Sequence, residues 1–276
     1  MKNRWKLVMA LLLSAGVANA AYVTIGNAGN ANDSTGYGGV DYSYKISATE
    51  VTIAEMAAAT GAGGGNEGYW NDGTRTVGTA APASYVSLYE AMKYCNYLNG
   101  DVNSGYYSSI DGGVTYQANA MSHDAYAAAN GLTYFVPTED EWYKAAYYDA
   151  SGAGGYSLYA NGTSTAPVAG TDANYSGSTA WVVGTGTEEQ NGTDDMMGNV
   201  WEWMENSAGV IRGGGYTHLE THLSSSSRYD HPPSAEYNHV GFRPVEVIPE
   251  PATVLLFGIG GIGAWILRRN KKADFL

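Results

Sequence analysis

The stretch Asp194-Asp195-Met196-Met197-Gly198-Asn199-Val200-Trp201-Glu202-Trp203 decides how this chain is read. Two tryptophans flank a carboxylate directly after a Gly-Asn turn and a pair of aspartates. Large aromatic side chains supply buried area first, so Trp201 and Trp203 read as core anchors rather than substrate contacts. Taken alone, Asp195 reads as a cap and Glu202 as a solvated strand residue. Two further motifs follow, Arg212-Gly213-Gly214-Gly215-Tyr216 and Gly241-Phe242-Arg243. Arg212 and Arg243 are expected to pair with buried acids or carbonyls.

Outward from this centre, the two ends separate from the fold. Lys2, Arg4 and Lys6 precede the apolar run Leu7–Leu13 and the small-x-small step Ala18-Asn19-Ala20. That order is a secretory signal peptide, with cleavage expected after Ala20; the run is too short to span a bilayer comfortably. At the other end Pro249-Glu250-Pro251 leads into an uncharged run, Ala252–Leu267, closed by Arg268, Arg269, Lys271 and Lys272. The residues alone make this a membrane anchor with its basic end in the cytoplasm. The pattern also resembles the PEP-CTERM sorting signal of Gram-negative bacteria. That resemblance implies recognition by an exosortase after export, removal of the tail, and delivery to the cell surface or extracellular matrix. On either reading the C-terminal segment is an inner-membrane anchor, transient or retained. The expected division is therefore 1–20, 21–247 and 248–276.

The chain has 276 residues and a formal net charge of −13. Seven of its 14 Lys and Arg lie in the two end segments, so the middle is strongly acidic. Nucleic acid and anionic membrane surfaces need a basic footprint and are excluded as its partners. Bound divalent cations are compatible with it. Cys95 is the only cysteine, which rules out an intrachain disulfide and a Cys-based zinc site.

Within 21–247 three helices announce themselves by the same device. Thr52-x-x-Glu55, Ser87-x-x-Glu90 and Thr138-x-x-Glu141 are capping boxes, predicting helices from about Ile53 to Ala59, from Leu88 to Leu98 and from Glu139 onward. Cys95 falls on the apolar stripe of the second helix, where a buried structural thiol is expected rather than a nucleophile. Strands are predicted at Tyr22–Gly26, Val40–Ile46, Val114–Tyr116, Trp181–Val183, Val210–Arg212 and Gly241–Val245. Residues 101–131 read as a long polar segment, and 152–178 as irregular surface that is functional or ordered by an ion.

These motifs carry a family resemblance. Tyr134-Phe135-Val136-Pro137-Thr138-Glu139-Asp140-Glu141-Trp142, Glu50-Val51-Thr52, Gly198-Asn199-Val200-Trp201-Glu202-Trp203, Arg212-Gly213-Gly214-Gly215 and Gly241-Phe242-Arg243 resemble, in order, the hallmarks of the formylglycine-generating enzyme/sulfatase-modifying factor family. The resemblance implies an α+β, C-type-lectin-like fold with short helices, short antiparallel strands and long ordered loops. It also implies structural calcium, held by the side chains of Asp195 and Glu202 and the carbonyls of Gly198 and Val200. A second family site would use Asn174 and the carbonyl of Tyr175. Calcium takes six to eight oxygens, mixing carboxylates and carbonyls, which suits this set.

The family's oxidase activity depends on copper held by two cysteine thiolates shortly after the Gly-Gly motif. Here Thr217-His218-Leu219-Glu220-Thr221-His222-Leu223-Ser224 contains no cysteine. Soft thiolates select Cu(I), so copper is not expected. His218 falls where the first family cysteine would align, with Glu220 and His222 close by; the three form a weak metal or ligand signal, against surface histidines. The expected function is that of an exported, non-catalytic surface or matrix protein, acting by presentation or ligand binding, with extracellular polysaccharide as a candidate partner. Two alternatives remain: a divergent formylglycine-type oxidase or other metal-dependent enzyme, and a calcium-dependent carbohydrate-binding protein.

Overall fold

A computed structural model describes residues 21–60, 80–100, 106–107, 121–131, 133–151 and 154–247. The expected signal peptide, the strand Val114–Tyr116 and the C-terminal segment 248–276 lie outside the described residues. Among the described residues no helix is long and apolar enough to cross a membrane.

Short elements alternate with long ordered loops. In chain order they are β1 (Tyr22–Ile25), β2 (Tyr44–Ser47), α1 (Ile53–Thr60), α2 (Leu88–Leu98), α3 (His123–Asn130), β3 (Tyr134–Phe135), α4 (Glu139–Tyr147), β4 (Trp201–Trp203), β5 (Val210–Arg212), β6 (Tyr229–Asp230), β7 (Val240–Gly241) and β8 (Val245–Glu246). Two four-stranded sheets result, ordered β1-β2-β8-β3 and β6-β5-β4-β7. The first is antiparallel throughout; in the second, β4 pairs parallel with β7. The chain leaves the second sheet at β7 and enters the first at β8, so residues 242–244 bridge the two.

All three predicted helices form where their caps place them. The Ser87 and Thr138 side chains accept from the backbone of Glu90 and Glu141, whose carboxylates return the bond to the cap backbone. Thr52 and Glu55 make the same pair of bonds, at 2.8 and 3.2 Å. Cys95 is fully buried on α2, and burial pushes its thiol pKa well up. An inert structural thiol follows.

Four local expectations change. Helix α3 falls inside the segment read as polar loop; no side-chain cap announces it, and it ends at Gly131 in the left-handed region (φ 73°). The second strand starts at Tyr44, not Val40. Trp181–Val183 is not a strand: the Trp181 N–H goes to the Asn199 side chain and the Val183 N–H to the Ala80 carbonyl, so no ladder partner is available to either. The closing strand Gly241–Val245 is broken into β7 and β8 by the crossing between sheets.

Helix α3 is fixed by chemistry that periodicity does not register. His123, 1% exposed, lies between two carboxylates: Nδ1 is 3.0 Å from Glu141 and Nε2 is 3.0 Å from Glu205. The ring also stacks on Phe135 at 4.2 Å. Burial opposes its charge, but Glu141 and Glu205 outweigh that and raise its pKa to about 10. Burial likewise works against ionised Glu141, yet the His123 charge and the Thr138 and Tyr42 donors hold it below the usual carboxylate range.

The sign of the pH dependence follows from linkage. A ring with folded pKa about 10, against 6.5 unfolded, stabilises fully below pH 6.5 and loses that contribution as pH rises toward 10. Glu141 acts oppositely: its contribution is present above the ordinary carboxylate range and is lost as pH falls through its lowered value. The melting temperature should therefore fall between pH 6.5 and 10, less steeply in His123→Gln than in the parent. Equal slopes in thermal scans would refute the buried imidazolium.

Candidate functional site

The turn that leads into Trp201-Glu202-Trp203 takes the left-handed region at three positions. Asp195 and Asn199 sit in the left-handed region at φ 61° and 56°, where short polar side chains are tolerated. Gly198 follows the same path (φ 89°), and a Cβ there would lie 2.4 Å from the Asn174 carbonyl oxygen. Only glycine permits that approach. The turn delivers Trp201, Glu202 and Trp203 into β4, all buried.

Glu202 is fully buried and spoken for on both oxygens. Arg243 donates to them from Nε (2.8 Å) and Nη2 (2.7 Å), and the Trp142 indole adds a third bond at 2.8 Å. The remaining Arg243 donors go to the carbonyls of Ser47 (3.1 Å), Ala48 (2.8 Å) and Asp194 (2.8 Å). One guanidinium thus ties together β2, β4 and the turn. Arg212, 1% exposed, behaves likewise: Nε donates to Glu139 at 2.7 Å, Nη1 donates to the Ser225 and Ser227 carbonyls, and its face covers Tyr37 and Tyr143. Both arginines are structural, as the sequence suggests.

Around Arg243 lie more buried acids than it can neutralise. Asp195 accepts one bond, from the Gly184 N–H at 2.6 Å, and burial raises its pKa to about 6. Glu189 accepts from Thr193, Met196 and Met197, yet burial raises it to about 8. Glu50 is the extreme case. It is 0% exposed, and neither carboxylate oxygen has a hydrogen-bond partner. Burial first, then the neighbouring Asp195 charge, pushes its pKa well above the ordinary value. Sequence reading gave Glu50 no role beyond a motif letter; an acid inside Thr-Glu-Val-Thr has no pattern that signals burial.

The residues implied for calcium fit that ion unequally. Asp195 offers a buried carboxylate, and the orphaned oxygens of Glu50 beside it are what an unmet cation would leave. Glu202 fits poorly, because a guanidinium and an indole already take three of the roughly four lone-pair sites on its oxygens. Asn174 spends its amide on the Thr179 carbonyl and the Asn199 side chain, both at 3.1 Å, and its own carbonyl accepts from the Asn199 N–H. The Tyr175 hydroxyl donates to the Pro167 carbonyl at 2.6 Å. Among the described residues no three His, Cys, Asp or Glu side chains are gathered closely enough to hold a metal ion.

After Gly215 the chain lays its histidines on the surface over Trp201. His218 and His222 converge, with ring centroids 5.2 Å apart, and His239 joins from beside β7, 5.1 Å from His218. Glu220 stays exposed on the short 3-10 turn Glu220–His222, outside this group. Burial and the adjacent His222 lower the His218 pKa; burial, then His218 and His231, push His239 down to about 4. His239 was missed from sequence because it lies 21 positions from His218, and only the parallel β4–β7 pairing closes that gap.

An α+β domain of buried motif residues and surface loops, with its chemistry held in a glycine-framed turn, is the class these observations define. The comparisons sharpen it. The family model "Sulfatase-modifying factor enzyme 1-like domain" matches residues 33–248, and the chain belongs to that family. The PEP-CTERM protein-sorting motif matches residues 247–272; it implies export, recognition by an exosortase and association with the cell envelope. No curated protein matches the chain. Among solved structures, it is similar to CarF (21% identity, TM-score 0.56, covering 82% of this chain and 98% of that one). It is also similar to Treponema denticola variable protein 1 (20%, 0.53, 82% and 94%) and to PvdO from Pseudomonas aeruginosa (18%, 0.52, 83% and 92%). These likenesses establish the C-type-lectin-like fold.

The hub makes its own prediction. Glu202→Ala leaves a buried guanidinium unpaired and should cost about 3–5 kcal/mol in urea denaturation. Combining Glu202→Leu with Arg243→Met should cost less than the sum of the single changes. It will not restore the parent, because three carbonyls lose their donor. A fully additive pair would contradict the coupling.

Proposed function

We propose that this chain is an exported, non-catalytic member of its family, acting at the cell envelope by presentation or ligand binding. The observation that carries the reading is the loop after Gly215. It sets His218 where the family resemblance places the first copper-binding cysteine and contains no cysteine itself, and the chain's single thiol is buried on α2. Arg212 and Arg243 pair with Glu139 and Glu202 and spend their other donors on main-chain carbonyls, as befits a scaffold. Residues 1–20 serve as the signal peptide that starts export, and 248–276 as a sorting segment that holds the inner membrane until processing. Extracellular polysaccharide is the candidate surrounding.

The test is direct. The purified protein, given Cu(I) and a peptide carrying a sulfatase-type cysteine motif, should neither bind copper tightly nor consume oxygen. Stoichiometric oxygen uptake with peptide oxidation would establish the alternative, a divergent oxidase or another metal-dependent enzyme working through the histidines.

Calcium belongs to this reading as a structural ligand, with Asp195 as its anionic donor and Gly198 and Val200 supplying carbonyls. The unpartnered Glu50 oxygens favour a cation nearby; the pairing of Glu202 with Arg243 weighs against that residue as a donor. A ligand bound only by the folded state raises stability by mass action. EDTA should therefore lower the melting temperature of the parent, calcium should restore it, and Asp195→Ala should abolish the difference. A parent indifferent to both additions would remove calcium from the account.

A further inference from the structure

Six rings form a continuous row on the surface beside the second sheet. Tyr229 stacks on His222 at 5.4 Å, His222 meets His218 at 5.2 Å, and His218 meets His239 at 5.1 Å. The row continues from His239 to Tyr237, nearly parallel at 5.6 Å, and ends on His231, 4.5 Å further. Four of the chain's five histidines are in it. Trp201, 2% exposed, supports the row from beneath, with centroids 5.3 Å from His218, 5.8 Å from His222 and 5.1 Å from Tyr229. Tyr229 and Tyr237, at two separate points of the row, are 48% and 38% exposed, which leaves large aromatic surface open to solvent at both.

The polar edges of these rings narrow what can lie on them. His239 Nδ1 is 2.9 Å from the Asn238 side-chain oxygen, and His222 Nδ1 is 3.2 Å from the Leu219 carbonyl. Both acceptors require a proton on Nδ1, which leaves each Nε2 a bare acceptor. Among the described residues the hydroxyls of Tyr229 and Tyr237 bond to nothing, so two donors stand beside those acceptors. Burial lowers the pKa of His218, His231 and His239, so these three rings carry little charge at neutral pH. An anionic ligand approaches a chain of net charge −13, and the charge of Arg228 beside the row is already paired with Glu139. A purely apolar partner would strand the phenols and imidazoles, each at a cost when buried unpaired. A neutral, polyhydroxylated ligand matches: its hydroxyls meet the phenol donors and the imidazole acceptors, and its C–H groups lie on the exposed parts of Tyr229 and Tyr237.

We propose that the row Tyr229–His222–His218–His239–Tyr237–His231 is a docking track for an uncharged glycan. This rests on the reading of the chain as a ligand-binding module and names the ligand class and the surface. Neither calcium nor the hub acids take part, so the binding is independent of divalent cations.

Affinity electrophoresis of the full-length chain at pH 7.5 tests the track, with soluble β-glucan and galactomannan as neutral probes and polygalacturonate as the anionic control. The parent should be retarded by a neutral polymer and not by polygalacturonate, with EDTA making no difference. Tyr229→Ala and Tyr237→Ala should each weaken retardation about tenfold. Met121→Thr, an exposed change touching no ring of the row, should leave it intact, and unchanged melting curves will separate lost binding from lost folding. No retardation by either neutral probe, preference for polygalacturonate, abolition by EDTA, or tyrosine variants that bind like the parent would each overturn the proposal. Oxygen uptake with the cysteine peptide would overturn the reading beneath it, whatever the gels show; a chain inert in both assays would overturn the track alone.

Discussion

The ion pair between Arg243 and Glu202 is the constraint from which the rest of the structure follows. Taking both charges out of water costs several kcal/mol per ion, and their attraction repays this only when every lone pair and proton is met. That condition is satisfied for Arg243, whose donors reach Glu202 and three backbone carbonyls. Satisfying it dictates geometry elsewhere. Ser47 and Ala48 must end β2 with their carbonyls turned inward, Asp194 must present its own, and the chain must cross between sheets at residues 242–244. The left-handed turn at Asp195, Gly198 and Asn199 is what lets Glu202 arrive from the other side. The same concentration of acid leaves Glu50 without a partner, so the hub is satisfied at its centre and frustrated at its edge.

Helix α4 shows how few residues can bind such a hub to the outer layers. Thr138 caps the helix. Glu139 takes Arg212 and Arg228, Asp140 accepts the Gly38 N–H at 2.8 Å, Glu141 closes the cap and holds His123, and Trp142 reaches Glu202. From Glu139 to Trp142 every consecutive side chain has a distinct partner from a distant part of the chain. A run of three acids looks like a solvated, dipole-favouring first turn; in the fold, Glu139 and Glu141 are instead mostly or wholly buried.

Legibility in the sequence follows from how local each cause is. Capping boxes are local, and all three announced helices form where Thr52, Ser87 and Thr138 put them. The ordered motifs lead to the family and hence to the fold, which periodicity alone could not supply for two- and three-residue strands. What escaped is held by distant partners. Helix α3 owes its place to His123 lying between Glu141 and Glu205, contacts across 18 and 82 positions. Trp181–Val183 has strand-like residues, but Asn199 and Ala80 take the N–H groups a ladder would need. At the site, His218 and His222 were readable as a pair. His239, Tyr229 and Tyr237 were not, because only the strand pairings of the second sheet bring them to the same surface.

Glycine supplies the link between the buried hub and the exposed ring row. At Gly215 a Cβ would come within 3.1 Å of the Trp201 ring, 3.3 Å of His218 and 3.4 Å of the His239 carbonyl. At Gly214, in the left-handed region at φ 80°, a Cβ would lie 2.7 Å from Leu223. The run Gly213–Gly215 therefore lets the loop fold flat over Trp201 and bring His218 beside His239. Trp201 is itself fixed on both sides, its N–H bonded to the His239 carbonyl at 2.8 Å and its neighbour Glu202 clamped by Arg243. The row of rings thus stands on a strand held by backbone pairing and by the buried Arg243–Glu202 pair. A binding surface placed there loses little freedom when a ligand arrives, and that pre-organisation does more for affinity than added contact area would.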